Sequence, residues 1–381
     1  MKERGPASPG RARTTSPEHV ARPEAAPLER DVALVGGLVA IPSVSRNERD
    51  AVDWLVLRMS ERGFRASIDL AGNAVGEIGD GPVHVVLFGH IDTVPGEIPV
   101  RIEGGELVGR GAVDAKGPLA AFVAAASEPV PGLRVTVVGA VEEESPSSKG
   151  ARHWATRPAP DWCVIGEPSG WNGVTVAYKG RLVLGLSLVR DARHGAAPGP
   201  TVAEEALTLW SRIAAAATAR TADARPFQRL DCRLEGLHAA AGDGLVERAD
   251  LRIGYRVPPG IATGDLVAEV EALADEHDGD AAVTVEHIAS EEPIRALRST
   301  PVATAFARAI SGAGGQTAFK EKSGTSDMNV LLPAWGCPMV AYGPGDARYD
   351  HTPMERLGLA DYARAIGVLR AVLERAAKQV G

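Results

Sequence analysis

Cysteine is scarce in this sequence, with three residues among 381, Cys163, Cys232 and Cys337. They are widely separated, odd in number and never spaced as C-x-x-C. This distribution implies neither a disulfide framework nor a thiolate zinc site. It is typical of a reducing compartment, so we expect a cytoplasmic protein.

Long apolar runs and an excess of positive charge are also missing. No stretch is long and apolar enough to span a bilayer, and the N-terminus lacks the apolar core of a signal peptide. The 41 basic and 49 acidic residues give a net charge of -8, which does not indicate a nucleic-acid surface. We therefore expect neither a membrane nor a nucleic-acid partner. Residues 1–25, rich in Pro, Arg, Ser and Ala, are expected to form a disordered tail.

The rest of the sequence has the composition of a packed globular protein, with 45% hydrophobic and 24% charged residues. Nearly continuous apolar runs predict strands that are buried on both faces. These runs are VHVVLFGH (83–90), LRVTVVGAVEEE (133–144), DWCVIGE (161–167) and CPMVAYGPG (337–345). Helical patterns lie between them, so we predict an α/β catalytic domain with a largely parallel sheet, formed by residues 26–176 and 296–381.

The middle of the chain, residues 177–295, has a different pattern. Strand and helix patterns follow one another there in the order β-α-β-β-α-β. The segments are YKGRLVLGLSLV, TVAEEALTLWSRIAAAA, RLDCRLEGLH, ERADLRIGYRV, TGDLVAEVEALADEH and AAVTVEHIA. This order is the ferredoxin-like split motif, and it predicts an α+β domain inserted into the first one.

Histidine and acidic residues follow the predicted buried strands. His90 and Asp92 are two positions apart at a strand end, so an extended backbone would place both side chains on one face. Asp114 lies in a glycine-flanked loop just before a helix. The other residues of this kind are Glu142, Glu143 and Glu144 after a Val-rich strand, Glu167 at a strand end, and His351 beyond another strand.

Each segment alone has a plain structural explanation. A histidine beside an aspartate is more often a hydrogen-bonded pair, and a run of glutamates is more often a solvated face. Together, however, five such segments fall where α/β sheets place their active sites, outside the carboxyl ends of the strands. Adjacent acids also need a positive charge to neutralise them, and a set of histidines and carboxylates suits Zn²⁺ or a similar divalent ion.

The same segments resemble a known enzyme family. GHIDTVPG, GRGAVDAKGP, GAVEEESPSSKGA and VIGEPSG are similar, in string and in order, to the di-zinc aminoacylase and carboxypeptidase family that includes acetylornithine deacetylase and succinyl-diaminopimelate desuccinylase. The resemblance covers essentially the whole chain after the tail. It implies amide hydrolysis, a zinc-exopeptidase-like catalytic domain, a βαββαβ dimerisation or lid domain, and a homodimer.

The resemblance also implies two Zn²⁺ ions, with Co²⁺ as an alternative, and roles for individual residues. The implied metal ligands are His90, Asp114, Glu144, Glu167 and His351, of which Asp114 would bridge the two ions. Asp92 would orient His90, and Glu143 would act as the general base. Because three glutamates are adjacent and SPSSKG is one residue longer than the commoner form, which two of the three act stays open.

Further residues are implied in substrate binding. His194, in RHGAAPGP, resembles a histidine that reaches the partner subunit's active site and stabilises the oxyanion; an ordinary surface-loop histidine is the alternative. We expect GTSDMN (324–329) and the YGPGD turn (342–346) to line the substrate pocket, with ordinary loops as the alternative. The expected substrate-binding residues are Lys179, Gly324, Thr325, Ser326, Asp327 and Asn329.

IGEPSGWNGVTVAYKG and KSGTSDMN are similar to one branch of the family in particular. That branch releases lysine or ornithine from the γ-carboxyl of the terminal glutamate of an amino-group carrier protein, which would be the substrate here. Three alternatives stay open. The chain could deacylate a free N-acetyl or N-succinyl diamino acid, cleave dipeptides, or serve as a metal-binding dimeric scaffold without turnover.

Overall fold

The computed structural model describes Met1 and residues 27–240 and 244–378. The predicted disordered tail, residues 1–25, lies outside the described residues apart from Met1. None of the described helices combines the length and the apolar character that crossing a bilayer requires.

The described chain alternates between helices and strands. The α-helices are α1 (Pro27–Val39), α2 (Arg49–Glu61), α3 (Lys116–Ala126), α4 (Lys149–Ala155), α5 (Val202–Arg220), α6 (Thr263–Asp275), α7 (Pro301–Gly312), α8 (Asp327–Trp335) and α9 (Leu359–Ala377). The strands are β1 (Arg65–Ile68), β2 (Ala74–Gly79), β3 (Val83–His90), β4 (Arg101–Glu103), β5 (Glu106–Val108), β6 (Leu133–Ala140), β7 (Trp162–Gly166), β8 (Gly173–Tyr178), β9 (Gly180–Asp191), β10 (Asp231–Ala240), β11 (Val246–Val257), β12 (Ala282–Glu291), β13 (Ile294–Arg295), β14 (Ala318–Lys322), β15 (Met339–Tyr342) and β16 (Arg356–Gly358).

The largest sheet has nine strands in the order β1-β2-β6-β3-β7-β15-β8-β13, with β14 paired to β8. The four central strands, β6, β3, β7 and β15, are parallel, as their continuous apolar runs predict. Antiparallel pairs flank this centre on both sides. The sheet is therefore mixed, and the carboxyl ends of its four central strands meet at one edge.

Helices cover both faces of this sheet. Alternate residues of the central strands point to opposite sides, because side chains alternate along a strand. Leu87 and Val137 pack in the core formed with α1, α2, α3, α7 and α9, whereas Phe88 and Val138 pack in the core formed with α4 and α8. A small sheet of β16, β5 and β4 completes this domain.

The inserted domain is a separate antiparallel sheet in the order β10-β11-β9-β12. Leu182, Leu184, Leu186 and Leu188, on one face of β9, pack in a core with α5 and α6. The predicted β-α-β-β-α-β order is therefore present. The inserted sheet spans Gly180–Glu291, a shorter stretch than the predicted 177–295, because Tyr178 and Ile294 pair with each other in the large sheet.

Candidate metal centre

Five segments bring histidine and acidic side chains to the carboxyl edge of the central strands. His90 is the last residue of β3, and the three glutamates 142–144 follow β6. Glu167 comes directly after β7, and His351 lies in the segment between β15 and β16. Asp114 reaches the same place from the turn before α3, where its peptide bond to Ala115 is cis.

Three groups of three side chains among the described residues could each hold a metal ion, and two of the groups include Asp114. The ligand atoms of His90, Asp114 and Glu167 lie within 4.8 Å of one another, as do those of Asp114, Glu144 and His351. Nε2 of His90 is 3.2 Å from Oδ1 of Asp114, and Nε2 of His351 is 3.0 Å from its Oδ2. Asp114 therefore turns one carboxylate oxygen towards each histidine.

The charges of the cluster fit a divalent cation. Burial, followed by the nearby charge of Asp114, raises the pKa of Glu167 to about 7. Burial also raises the pKa of Glu143 well above its ordinary range and raises the pKa of Glu144. Carboxylates this buried and crowded need a strong positive charge, and their combination with histidine nitrogens is the donor set of zinc-like ions.

Asp92 contacts both the histidine at the end of β3 and the glutamates after β6. It is completely buried, and its backbone oxygen lies 3.0 Å from Nδ1 of His90. Its Oδ1 accepts the backbone N–H of Glu143 and its Oδ2 accepts that of Glu144, each at 3.0 Å. Oδ2 also accepts the hydroxyl of Ser45 at 2.7 Å. Asp92 therefore fixes the two glutamates as well as facing the histidine.

The backbone separates Glu142 from its two neighbours. Glu142 has a φ of 61°, in the left-handed region that costs a non-glycine residue about 1–2 kcal/mol. Its carboxylate turns away from the histidines and accepts the hydroxyl of Ser147 at 2.6 Å, with Lys149 at 3.6 Å. Glu143 and Glu144 are the two glutamates that lie in the cluster with His90.

Sequence reasoning missed Glu355, which holds the loop of Asp114. This side chain is fully buried, and its Oε1 accepts the backbone N–H groups of Val113 and Asp114 at 2.9 and 3.0 Å. Its Oε2 accepts Nη1 of Arg110 at 2.8 Å. The sequence offered one sign of Glu355, its position four residues after His351, and that sign is weak without the structure.

Lys322 is a second residue that sequence reasoning did not single out. It is the last residue of β14 and the first of the string KSGTSDMN. Its Nζ lies 3.4 Å from Oε2 of Glu167. The signal was its place directly before the predicted substrate segment.

The predicted substrate segment, residues 324–329, runs from the turn between β14 and α8 into the first residues of α8, which begins at Asp327. Ser326 caps α8 by accepting the backbone N–H of Met328. Asp327 is buried, and its Oδ1 has no hydrogen-bond partner within the described part of the chain. Burial, followed by the charges of Asp92 and Glu167, raises the pKa of Asp327 to about 8. Asp327 therefore belongs to the electrostatic surroundings of the cluster.

A cleft of about 400 Å³ lies between this turn and the inserted domain. Ser323 and Gly324 form one side of it. The other side, on the inserted sheet, carries three arginines and two acids, Arg181, Arg233, Arg256, Asp231 and Glu235, and we call this space the arginine cleft.

Two predicted site residues lie away from the cluster in this chain. The ammonium group of Lys179 is completely buried and donates to Asp231 at 2.6 Å, inside the inserted domain. His194 is exposed in the loop after β9, where its Nδ1 accepts the backbone N–H of Ala196. Over residues 27–240 and 244–378, no hydrogen bond or ion pair joins His194 to the cluster.

Relatives match the chain over most of its length. A [LysW]-lysine hydrolase of Deinococcus radiodurans is 44% identical over 351 residues, which are 90% of this chain and 96% of that protein. The alignment therefore leaves only a small part of either protein uncovered.

Solved structures share the fold. An M20 family metallo-carboxypeptidase of Sulfolobus solfataricus superposes with a TM-score of 0.74 at 16% identity, covering 91% of this chain and 99% of that one. An aminopeptidase PepT of Bacillus cereus gives a TM-score of 0.74 at 20% identity, covering 92% and 99%. At these identities the likeness bears on the fold alone. The sequence pattern that describes peptidase family M20/M25/M40 matches residues 86–375, so the chain belongs to this family.

Proposed function

We propose that the protein is a metal-dependent amidohydrolase that releases lysine or ornithine from the γ-carboxyl of the C-terminal glutamate of an amino-group carrier protein. The observation that carries this proposal is the pair of donor groups that share Asp114, with Glu143 beside them. The substrate is supported by the 44% identical relative, which is named a [LysW]-lysine hydrolase.

Five residues would hold the two ions. His90, Asp114 and Glu167 would bind one, and Asp114, Glu144 and His351 would bind the other, with Zn²⁺ as the expected metal and Co²⁺ as an alternative. Such a pair, when bound, polarises a carbonyl and makes a water molecule more acidic.

Glu143 is the proposed general base. It takes a proton from the attacking water and delivers it to the leaving amine, a role that requires a carboxylate with a raised pKa near the reacting atoms. Burial raises the pKa of Glu143 in this way. Asp92 fixes the base by accepting its backbone N–H at 3.0 Å.

The arginine cleft is the proposed site for a substrate carboxylate. A glutamyl-linked lysine carries a free carboxylate on each side of the scissile amide, and guanidinium groups bind carboxylates with two parallel hydrogen bonds. Nη1 of Arg256 is buried and has no hydrogen-bond partner among the described residues. Gly324 lines the opposite wall, and we propose that the neighbouring Thr325, Ser326 and Asp327 complete it.

We also propose a homodimer in which His194 stabilises the oxyanion in the active site of the partner subunit. His194 is exposed, and its loop is anchored at both ends. Arg190 donates to the carbonyl of Pro200 at 2.9 Å, and the backbone N–H of Arg193 donates to Glu247 at 3.3 Å. An anchored loop can present its histidine to a second chain with little loss of conformational entropy.

The deciding experiment offers the zinc-loaded protein two substrates in parallel. One is a carrier protein that bears lysine or ornithine on its terminal glutamate, followed by intact mass and by release of the free amino acid; the other is N-acetylornithine. Cleavage of the carrier conjugate is the expected result. Cleavage of N-acetylornithine alone would keep the metal chemistry and reject the carrier as substrate.

A further inference from the structure

The chain enters and leaves the inserted domain through two linkers that touch each other. The first linker is Lys179, between β8 and β9, and the second is the pair of residues 292–293, between β12 and β13. A Cβ atom added to Gly180, the first residue of β9, would lie 2.4 Å from the backbone oxygen of Glu291, the last residue of β12, and 2.7 Å from the nitrogen of Pro293. Any movement of the inserted domain must therefore change both linkers together.

A single side-chain amide binds both linkers. Nδ2 of Asn329 donates to the backbone oxygen of Lys179 at 3.1 Å and to that of Glu292 at 2.8 Å. Oδ1 of the same residue accepts the backbone N–H of Ser326 at 3.0 Å. Asn329 is 4% exposed, so these bonds are shielded from water. It joins the turn beside the metal cluster to the entry and the exit of the inserted domain.

Lys179 attaches the first linker to the inserted domain from the other side. Its buried Nζ donates to Asp231 at 2.6 Å and to the backbone oxygen of Arg229 at 2.7 Å. This segment leads directly into β10, which carries Arg233 of the arginine cleft. A continuous set of hydrogen bonds therefore runs from the turn at Ser326 to the arginine side of the cleft.

We propose that Asn329 is a positioning residue that fixes the distance between the 323–326 turn and the arginines of the inserted domain. Its side chain holds both linkers and the turn at once, and the two walls of the cleft belong to the parts that it joins. The link to catalysis rests on the proposed function, because it takes the cleft as the site of the substrate carboxylate. Loss of the amide donors frees the inserted domain to move, which weakens substrate binding more than it slows the chemical step.

The test replaces the side-chain amide of Asn329 with a carboxylate of nearly the same shape. Asn329→Asp retains an oxygen for the N–H of Ser326 and loses both donors to the linkers. Asn172→Asp is the matched control, because its Nδ2 donates to the backbone oxygen of Gln316 at 3.2 Å, outside both linkers. Hydrogen–deuterium exchange of segments 176–183 and 288–294 is measured for both variants, together with bound metal and KM and kcat on the carrier conjugate.

The expected result is faster exchange in both linker segments of Asn329→Asp alone. In the same variant, we expect KM to rise about tenfold or more, kcat to stay within about threefold of the wild type, and metal content to be unchanged. Unchanged exchange in the linkers would overturn the proposal, and so would faster exchange with an unchanged KM. If Asn329→Asp does not fold, Asn329→Ser, which is short and neutral, takes its place in the same comparison. If the wild-type protein cleaves no carrier conjugate, the proposed function fails, while the exchange measurement still decides whether Asn329 holds the linkers.

Discussion

The carboxylate of Asp92 accepts the backbone N–H of Glu143 at 3.0 Å, so a residue just after β3 fixes the proposed base in the segment that follows β6. The other oxygen of Asp92 holds Glu144 in the same way. Both oxygens are therefore used by backbone donors, and the hydrogen bond from Ser45 adds a third partner. The proposed base and a proposed ligand share one support, and disturbing it should affect both.

Glu143→Gln should retain the fold and the bound metal while losing turnover. A general base contributes about 10²–10⁴-fold in rate, so we expect kcat to fall within that range. The matched control is Glu142→Gln, because the Glu142 carboxylate points to Ser147 and Lys149 rather than to the histidines. Steady-state kinetics and metal analysis of the two variants provide the measurement. Loss of activity in Glu142→Gln with normal activity in Glu143→Gln would move the base by one residue.

Asp92→Asn should weaken metal binding. The amide group would place an N–H where the backbone N–H of Glu143 or Glu144 now donates, so one of these donors loses its acceptor. Residues that support metal ligands typically change affinity by about 10–100-fold, and we expect a loss in this range in a chelator competition assay. Ser45→Ala is the comparison. It removes one hydrogen bond, worth about 1 kcal/mol, and should leave metal affinity within a few-fold of the wild type.

Glu355→Gln should loosen the loop of Asp114. The carboxylate of Glu355 is buried against Arg110, and the neutral amide would leave that guanidinium without its counter-ion. We expect the free energy of unfolding to fall by about 1–3 kcal/mol and bound metal to fall with it, measured by denaturant titration and metal analysis. Glu106→Gln is the control, because Glu106 is half exposed and pairs with Arg356 at the surface. Full metal content in Glu355→Gln would show that Asp114 does not depend on this contact.

The metal-free protein should lose thermal stability as the pH rises. Burial raises the pKa of Glu167 to about 7, so its contribution to stability is present below the usual pKa of a glutamate and is lost as the pH rises through 7. Hydrogen bonds to Asp114 and Glu144 raise the pKa of His351 to about 10, so its contribution is lost as the pH rises towards 10. Both groups therefore lower the stability of the metal-free protein as the pH rises.

Metal binding takes the deprotonated forms of these groups and should release protons. We therefore expect the gap in Tm between the zinc-loaded and the chelated protein to widen from about pH 6 to about pH 9. Calorimetry in buffers of different ionisation enthalpy should show the released protons directly. Parallel Tm curves with no proton release would contradict this account of the cluster.

Mixed dimers should reveal whether His194 acts in the partner subunit. His194→Ala and Glu143→Gln homodimers are each expected to be nearly inactive. When the two are unfolded together and refolded, about a quarter of the sites should combine an intact Glu143 with a partner's intact His194 and recover activity. Size-exclusion chromatography verifies the dimer. No recovery in a verified mixed dimer would assign His194 to its own subunit or to the surface.

The strands that carry the cluster could be predicted from the sequence because their signal is local. Continuous apolar runs mark β3 and β7, and the carboxyl ends of parallel strands share one edge, so His90 and Glu167 were expected to meet. The choice among the three glutamates could not be made, since it depends on a left-handed backbone at Glu142. Three identical side chains do not indicate which of them has this backbone conformation.

Contacts between distant residues account for what the sequence did not reveal. Asn329 and Lys179 were expected to bind substrate, yet the hydrogen bond between them joins residues 150 positions apart at the linkers. Glu355 acts on Val113 across 242 positions. Such partners follow from the completed packing of the sheet, and no local pattern of residue types encodes them.

The order of the donors along the chain has a consequence for biosynthesis. A nascent polypeptide that has emerged only as far as Glu167 already carries His90, Asp114 and Glu167, one complete set of donors. It lacks the carboxylate of Glu355, which holds the shared aspartate, and it lacks His351. We therefore expect firm metal binding only in the finished polypeptide, and a ribosome-stalled chain that ends before residue 351 should retain no metal.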